Sequence, residues 1–539
     1  MGCGACRWKA GTRIGQLLLG IGLVLVLTAG LAASPVAEPV PEVRIGDGRG
    51  DWGHPNPFLH YPRGPGYIRM SWVFDTLIWK DEHGFGPALA RSWTYDPEML
   101  AFVFELEPEA RWHDGKPLTA DDVAFTIELF QEHPYDWIDI DDVSHAEVLG
   151  SHKVVIHLRQ PYAPFLADIA GTMPIMPAHI WRGIEDPNRF TDPEAFIGSG
   201  PYRLVDFNPV QGSYLYEAFA DYFLGEPRAK RLIYLRVGQP MAALRNGEVD
   251  LATVRPEMVE PLQRQGFEII QDERGWNKKL MINHRKAPFD DRRFRLALAH
   301  AIDRQEIIDK AQRGQGRPAS LGLLSPDHEL YSPDTPNHPY APEHALELLQ
   351  DLGYARGSDG FLQKDGKPLR IELLVSNITA GGQTAADRDG EVIKAQLERI
   401  GIRTDLVNLE QGSTDARVRD WNFDLAVSGH GGISGDARIL NEMISSAHGA
   451  GSVNSARFDT HDELNALLEQ QLRAMDPEER RAIVARIQHL HAEELPAIPL
   501  YYPDSFAAFD PAKGVRWFFT PGGIAKGIPI PQNKVSLFP

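Results

Sequence analysis

Cysteine is nearly absent. The 539 residues contain two, Cys3 and Cys6, both ahead of the first apolar run. A chain that loses that N-terminal segment has no thiol left, which excludes thiol catalysis, thiolate metal ligands and disulfides. A lipoprotein cysteine is excluded too, because it would have to follow the apolar run. Cationic residues are also scarce, with 55 Lys+Arg against 74 Asp+Glu and a formal net charge of −19. That balance argues against nucleic acid or an anionic membrane as a partner. The motifs of hydrolytic chemistry are missing: there is no H-E-x-x-H helix and no G-x-S-x-G elbow to accompany the oxyanion-like His430-Gly431-Gly432. Gly198-Ser199-Gly200-Pro201 lacks the Lys-Ser/Thr pair of a phosphate loop. His489 and Glu493 share a helix face four residues apart, which reads as a solvated face rather than a metal site. No cofactor and no catalytic residue is expected.

Long apolar runs are absent except at the start. Arg7, Lys9 and Arg13 precede a charge-free segment, 14–37, dense in Leu, Ile and Val and ending in small residues. This reads as a secretory signal peptide over 1–37, cleaved between about 32 and 37. The competing reading is an uncleaved anchor, since the run is just long enough to span a bilayer. Either way the remainder belongs outside the cytoplasm, in the periplasm or beyond.

What is present begins with FVFELEPEARWHDGKPLTADDVAFTIELF, 102–130. Phe102, Phe104 and Leu106 alternate as a strand does. His113-Asp114-Gly115-Lys116-Pro117 makes a turn. Thr119 suits a helix N-cap, with Asp121 and Asp122 in the favourable first turn. Val123, Ile127 and Phe130 then recur at helical spacing, with Phe125 and Leu129 widening the stripe. Farther on, helical and strand patterns alternate: a helix over 389–401, strands over 369–375, 402–409 and 423–427, and helices over 464–475 and 477–494. Such alternation predicts α/β lobes with helices flanking sheets.

The words of these segments resemble a known family. Trp112-His113-Asp114-Gly115-Lys116-Pro117-Leu118-Thr119-Ala120-Asp121-Asp122-Val123 is similar, almost residue for residue, to the signature of the family 5 extracytoplasmic solute-binding proteins, the peptide/nickel-type receptors of ABC importers. Phe289-Asp290-Asp291 followed by Ala301-Ile302-Asp303-Arg304 resembles its second signature. Gly198-Ser199-Gly200-Pro201-Tyr202, read here as a chain crossing between lobes, and Pro499-Leu500-Tyr501-Tyr502-Pro503 match further family words. The resemblance runs from about residue 43 to 503.

It implies a type II periplasmic-binding-protein fold of α/β class, with two lobes, hinge strands near Leu280 and Leu500, and an extra subdomain in the first lobe. The expected boundaries are 38–78, 196–278 and 496–539 for the first lobe, 79–195 for its subdomain and 279–495 for the second lobe. It implies capture of an oligopeptide-like solute by lobe closure and delivery to ABC permease subunits in the membrane, by a monomer with no nucleic-acid partner. Within that transporter class an oligosaccharide, an opine or chelated nickel is the alternative; a secreted hydrolase is the alternative outside it.

Binding residues are expected in two places. The loop 47–66, which follows the first strand and faces the cleft in the family, carries Trp52, His54 and Asn56. The run 428–436 offers His430 and Asp436. In peptide-binding members an Asp at this strand end pairs with the peptide's α-amino group. Here Ile433 falls at about that position, and Asp436 or His430 stands as the substitute. Trp276, Trp421 and Tyr501 are candidate cleft walls, although large aromatics also serve as core.

Overall fold

The computed structural model describes residues 39–538 except 273, 381–382, 386–387 and 450–451, so the leader expected at 1–37 lies outside the described residues. Two seven-stranded sheets organise the chain. The first runs in the order Glu268–Asp272, Ser505–Phe509, Leu251–Val254, Val43–Asp47, Arg231–Arg236, Ser213–Ala218, Tyr202–Asn208. Val43–Asp47 sits centrally and pairs in parallel with both neighbours, its Val43 and Ile45 buried. An antiparallel four-stranded sheet, Ala90–Asp96, Ala101–Leu106, Lys153–Leu158 and Val143–Gly150, forms a subdomain on this lobe.

The second sheet orders Gly316–Pro318, Ala497–Pro503, Trp276–Ile282, Leu425–Gly431, Arg370–Ala380 and Gln383–Ala385, with Arg403–Glu410 also paired to Arg370–Ala380. Its strand Trp276–Ile282 is buried on both faces. Leu280 and Ile282 pack with Phe294 and Ile393, whereas Met281 packs with Leu440 and Ile487, as the two-residue side-chain period demands. Toward its start the same strand turns polar, with Asn277, Lys278 and Lys279. The chain passes between the two sheets between Asp272 and Trp276 and again at Asp504. Leu280 and Leu500, where hinges were expected, sit inside the second sheet, and the crossings are the short connections next to those strands. Among the described residues no helix is long and apolar enough to cross a membrane.

The 102–130 stretch forms the elements its pattern predicts. Ala101–Leu106 is a strand, and Ala120–Glu132 is a helix opened by a reciprocal capping box in which the Asp122 carboxylate accepts from the Thr119 N–H at 2.8 Å. Asp122 also accepts from the Ala178 N–H at 3.0 Å, tying the helix start to the next segment. His113 is buried. Its Nδ1 accepts from the Gly198 N–H at 3.2 Å, and its Nε2–H donates to the Gly200 carbonyl at 2.9 Å. Burial holds its pKa down to about 4, so the ring is neutral, as those two bonds require. The Gly-x-Gly-Pro run therefore does not cross between lobes. It packs within the first lobe, so closely that a Cβ on Gly198 would lie 1.8 Å from the Val73 carbonyl oxygen.

Candidate functional site

The two crossings leave a cavity of about 1010 Å³ between the lobes, lined from the first lobe, its subdomain, the second lobe and the C-terminal segment. This volume is at the upper end for a small-molecule site.

On the second lobe the wall is the start of Trp276–Ile282 against the end of Leu425–Gly431. Trp276 pairs across the ladder with Gly431. Its indole lies over two glycines: a Cβ on Gly429 would come within 2.6 Å of Nε1, and one on Gly431 within 2.8 Å of the ring. Only glycine leaves room for that ring. The other face of the indole stays open to the cavity, with Trp276 39 % exposed. Behind it, Ser428 donates to the Asn454 side chain at 2.5 Å, and Lys279 to the Asn454 carbonyl, fixing the adjoining wall.

On the first lobe the loop after Val43–Asp47 supplies a second aromatic surface. Trp52 donates its indole N–H to Asp47 Oδ2 at 2.8 Å, and its backbone N–H donates to the Tyr214 hydroxyl at 2.8 Å. Burial opposes the charge on Asp47, yet Arg69 and the Gly50 and Arg49 amides outweigh it and hold the carboxyl below its ordinary range. The Arg49 guanidinium stands over both rings, 4.6 Å from Trp52 and 4.2 Å from Tyr61.

Of the expected residues, Trp52, Trp276, His430 and Asp436 border this cavity. The other four, Asn56, His54, Tyr501 and Trp421, sit elsewhere. Asn56 is fully buried, its amide donating to the Ala195 carbonyl at 2.9 Å and its oxygen accepting from the Phe58 N–H. His54 stacks on Phe196 and meets the edge of Phe207. Tyr501 is in the core of the second sheet and donates to Asp389 at 2.6 Å. Trp421 is held between the Arg285 and Arg457 guanidiniums, off the cavity.

Asp436 reaches the wall with its carboxylate already engaged. Both oxygens accept from Arg480, at 2.8 and 2.5 Å, and one also accepts from the Arg438 N–H at 2.8 Å. Burial raises its pKa, and Arg480 more than reverses that. The side chain caps a loop and neutralises an arginine. Ile433 is fully buried, so no carboxylate stands at its position. His430 has Nε2 at 3.4 Å from Glu442, while its Nδ1 is buried and has no hydrogen-bond partner among the described residues. Glu442 is held at a pKa of about 2: burial works against the charge, but His430, Lys526 and Arg438 prevail.

Among the charged residues of the wall that escaped the reading of the sequence are Asp168, Arg438 and Lys526. Asp168 is a lone acid in the apolar run Phe165-Leu166-Ala167-Asp168-Ile169-Ala170, which was the available signal. Lys526 comes from the glycine- and proline-rich tail. Residues 526–530 form part of the cavity wall, and the loop's backbone packs directly on Gly432 and Gly435.

Residues 84–452 match the bacterial extracellular solute-binding proteins, family 5, middle region. The chain is 26 % identical over 463 residues to heme-binding protein A of Haemophilus influenzae, covering 79 % of this chain and 80 % of that one. It is 27 % identical over 456 residues to di/tripeptide-binding protein 2 of Pseudomonas aeruginosa, covering 78 % and 82 %. Among solved structures, NikA from Brucella suis in complex with Fe(III)-EDTA superposes with a TM-score of 0.77 at 23 % identity, over 92 % of this chain and all of that one (100 %).

Proposed function

The chain belongs to the bacterial extracellular solute-binding proteins of family 5, and from that premise we propose how its cavity serves an ABC importer. The protein is an extracytoplasmic substrate-binding receptor with the two-lobed periplasmic-binding-protein fold. It captures an oligopeptide-like solute in the cavity between its lobes, closes over it and presents it to the membrane permease subunits. Contacts from both lobes to one solute favour the closed state by their differential affinity, which is all that closure requires. The observation that carries this reading is the cavity itself, walled by Trp52 on one lobe and Trp276 on the other, at the two chain crossings. The protein acts as a monomeric binder, not an enzyme, exported by its N-terminal segment.

The solute's terminus is recognised without the carboxylate used by peptide-binding members. Asp436 is neutralised by Arg480 and Ile433 is apolar, so an α-ammonium group finds no unpaired acid at this strand end. The group left to a ligand there is the partly exposed indole of Trp276, since the Nδ1 of His430 is buried. This supports a solute with a flat or apolar face, a description that a blocked peptide, a chelate or a heterocycle meets. Relatives are named for heme and for di/tripeptides, and a structural neighbour was solved with an iron chelate bound.

The test is a thermal-shift screen of the chain without residues 1–37. At about 100 times its dissociation constant a ligand stabilises by about 2.7 kcal/mol. The proposal expects a shift from at least one of peptides, hemin or metal chelates. Turnover of a solute without a stable complex would make the protein a hydrolase instead.

A further inference from the structure

Asp168 occupies a place that contact with a solute does not explain. It is 3 % exposed, yet it lies on the cavity wall and is touched by three separate parts of the chain. From its own subdomain, the Tyr162 hydroxyl donates to Oδ2 at 2.6 Å. From the C-terminal tail, Lys526 Nζ stands 2.8 Å from Oδ1. From the second lobe, Arg438 Nε stands 3.3 Å from Oδ2, just before the helix Ile439–Ile444. Burial opposes its charge, and Arg438 and Lys526 together hold the carboxyl below its ordinary pKa.

The contact belongs to a seam. Arg438 also reaches Asp139 at 3.5 Å. Arg473 of the second lobe pairs with Asp142 and donates to the Pro161 carbonyl at 3.2 Å, and the Ala163 N–H donates to the Leu472 carbonyl at 2.8 Å. In these ion pairs every carboxylate is on the subdomain and each arginine is on the second lobe. The attraction therefore acts across the line along which the lobes part.

We propose that Asp168 is the positioning residue that couples lobe closure to solute capture: its carboxylate, shared by Lys526 and Arg438, draws the second lobe onto the first and so raises affinity without being the group that reads the solute. The inference rests on the receptor reading above. The geometry gives closure a low cost in reverse. When the lobes part, Arg438 leaves for water, while Asp168 keeps Lys526 and Tyr162 and is never stranded as a bare buried charge. The closed state is thereby favoured but not locked. Removing the negative charge leaves Arg438 and Lys526 with only Asp139 and Glu442 as nearby acids and takes away the shared carboxylate that joins the lobes, which favours opening.

The experiment uses the chain without residues 1–37, as wild type, Asp168→Asn, Asp168→Glu and Asp142→Asn. Small-angle X-ray scattering without any solute reads the lobe opening. D168N should give a larger radius of gyration than wild type, whereas D168E should restore most of the compaction and D142N should change it less. Affinity is then measured for whichever of trialanine, hemin or the nickel–histidine chelate shifts the wild-type unfolding midpoint. D168N should bind about tenfold more weakly, chiefly through faster dissociation. Identical ligand-free scattering for wild type and D168N overturns the proposal, as does unchanged affinity. If D168N fails to fold, Arg438→Gln takes its place in both arms, with the same expected opening and the same overturning result. A wild type that binds none of the probes counts against the receptor reading alone, because the ligand-free scattering still decides the role of Asp168.

Discussion

Two regions of this protein handle polar groups in opposite ways. Around 112–122 the buried polar side chains are spent on the chain itself: His113 on Gly198 and Gly200, Asp122 on Thr119 and Ala178. Along 428–442 the strand end borders a cavity, with the indole of Trp276 39 % exposed beside it. The first region is a structural joint, and the second borders the cavity proposed to take the solute. On the proposed reading, the stretch with the strongest family signature is not the stretch that selects the ligand.

The contrast breaks most sharply at Gly198. A methyl group there meets the Val73 carbonyl at 1.8 Å, so Gly198→Ala should lower stability by about 3 kcal/mol or more, measured by urea unfolding. The fraction that still folds should bind solute with wild-type affinity. A loss of affinity without loss of stability would put the joint inside the site.

His113 gives the joint a pH dependence. Its folded pKa of about 4 lies below the ordinary histidine value of 6.5, so between these values the unfolded chain takes up a proton that the folded ring refuses. Stability is therefore full above about pH 6.5 and falls toward pH 4, by up to about 3 kcal/mol from this ring. His60 and His491, also buried with pKa values of about 4, add to the same slope. In His113→Phe the acid-side slope should be shallower by about one proton. An unchanged slope would mean that the ring is charged in the folded protein.

Asp436 sharpens the comparison from the cavity side. Truncation leaves Arg480 without its carboxylate at a site where that side chain is 11 % exposed, so Asp436→Ala should cost about 2 kcal/mol of stability in the ligand-free protein. Affinity per folded molecule should change little. A large loss of affinity with unaltered stability would restore Asp436 as a ligand group.

Much of the joint was legible because its parts are local. Phe102, Phe104 and Leu106 alternate, Thr119 caps, and Asp122 lies three residues on, all within one short window. The cavity was legible only where a residue announces itself by type, as Trp52 and Trp276 do. Asn56 and Tyr501 are of the same residue types that line clefts, yet both satisfy their polar atoms in the interior, through Ala195 and Asp389. The cluster of Asp168, Arg438 and Lys526 joins three distant segments, and no local periodicity records such a meeting. The tail around 520–530 carried no pattern beyond glycine and proline, since its role lies in close backbone packing on Gly432 and Gly435. The resemblance supplied the two lobes, while the positions of the crossings, between Asp272 and Trp276 and at Asp504, came only with the sheets.

Trp276 is where solute binding between the lobes is tested most directly. Equilibrium titration of the best solute from the screen should show one site per chain in the wild type. Trp276→Ala should weaken it about tenfold, near 1.4 kcal/mol, with a smaller change in unfolding free energy, because the indole rests on two glycines and is 39 % exposed. Wild-type affinity in the Ala variant would contradict the placement of the solute in this cavity.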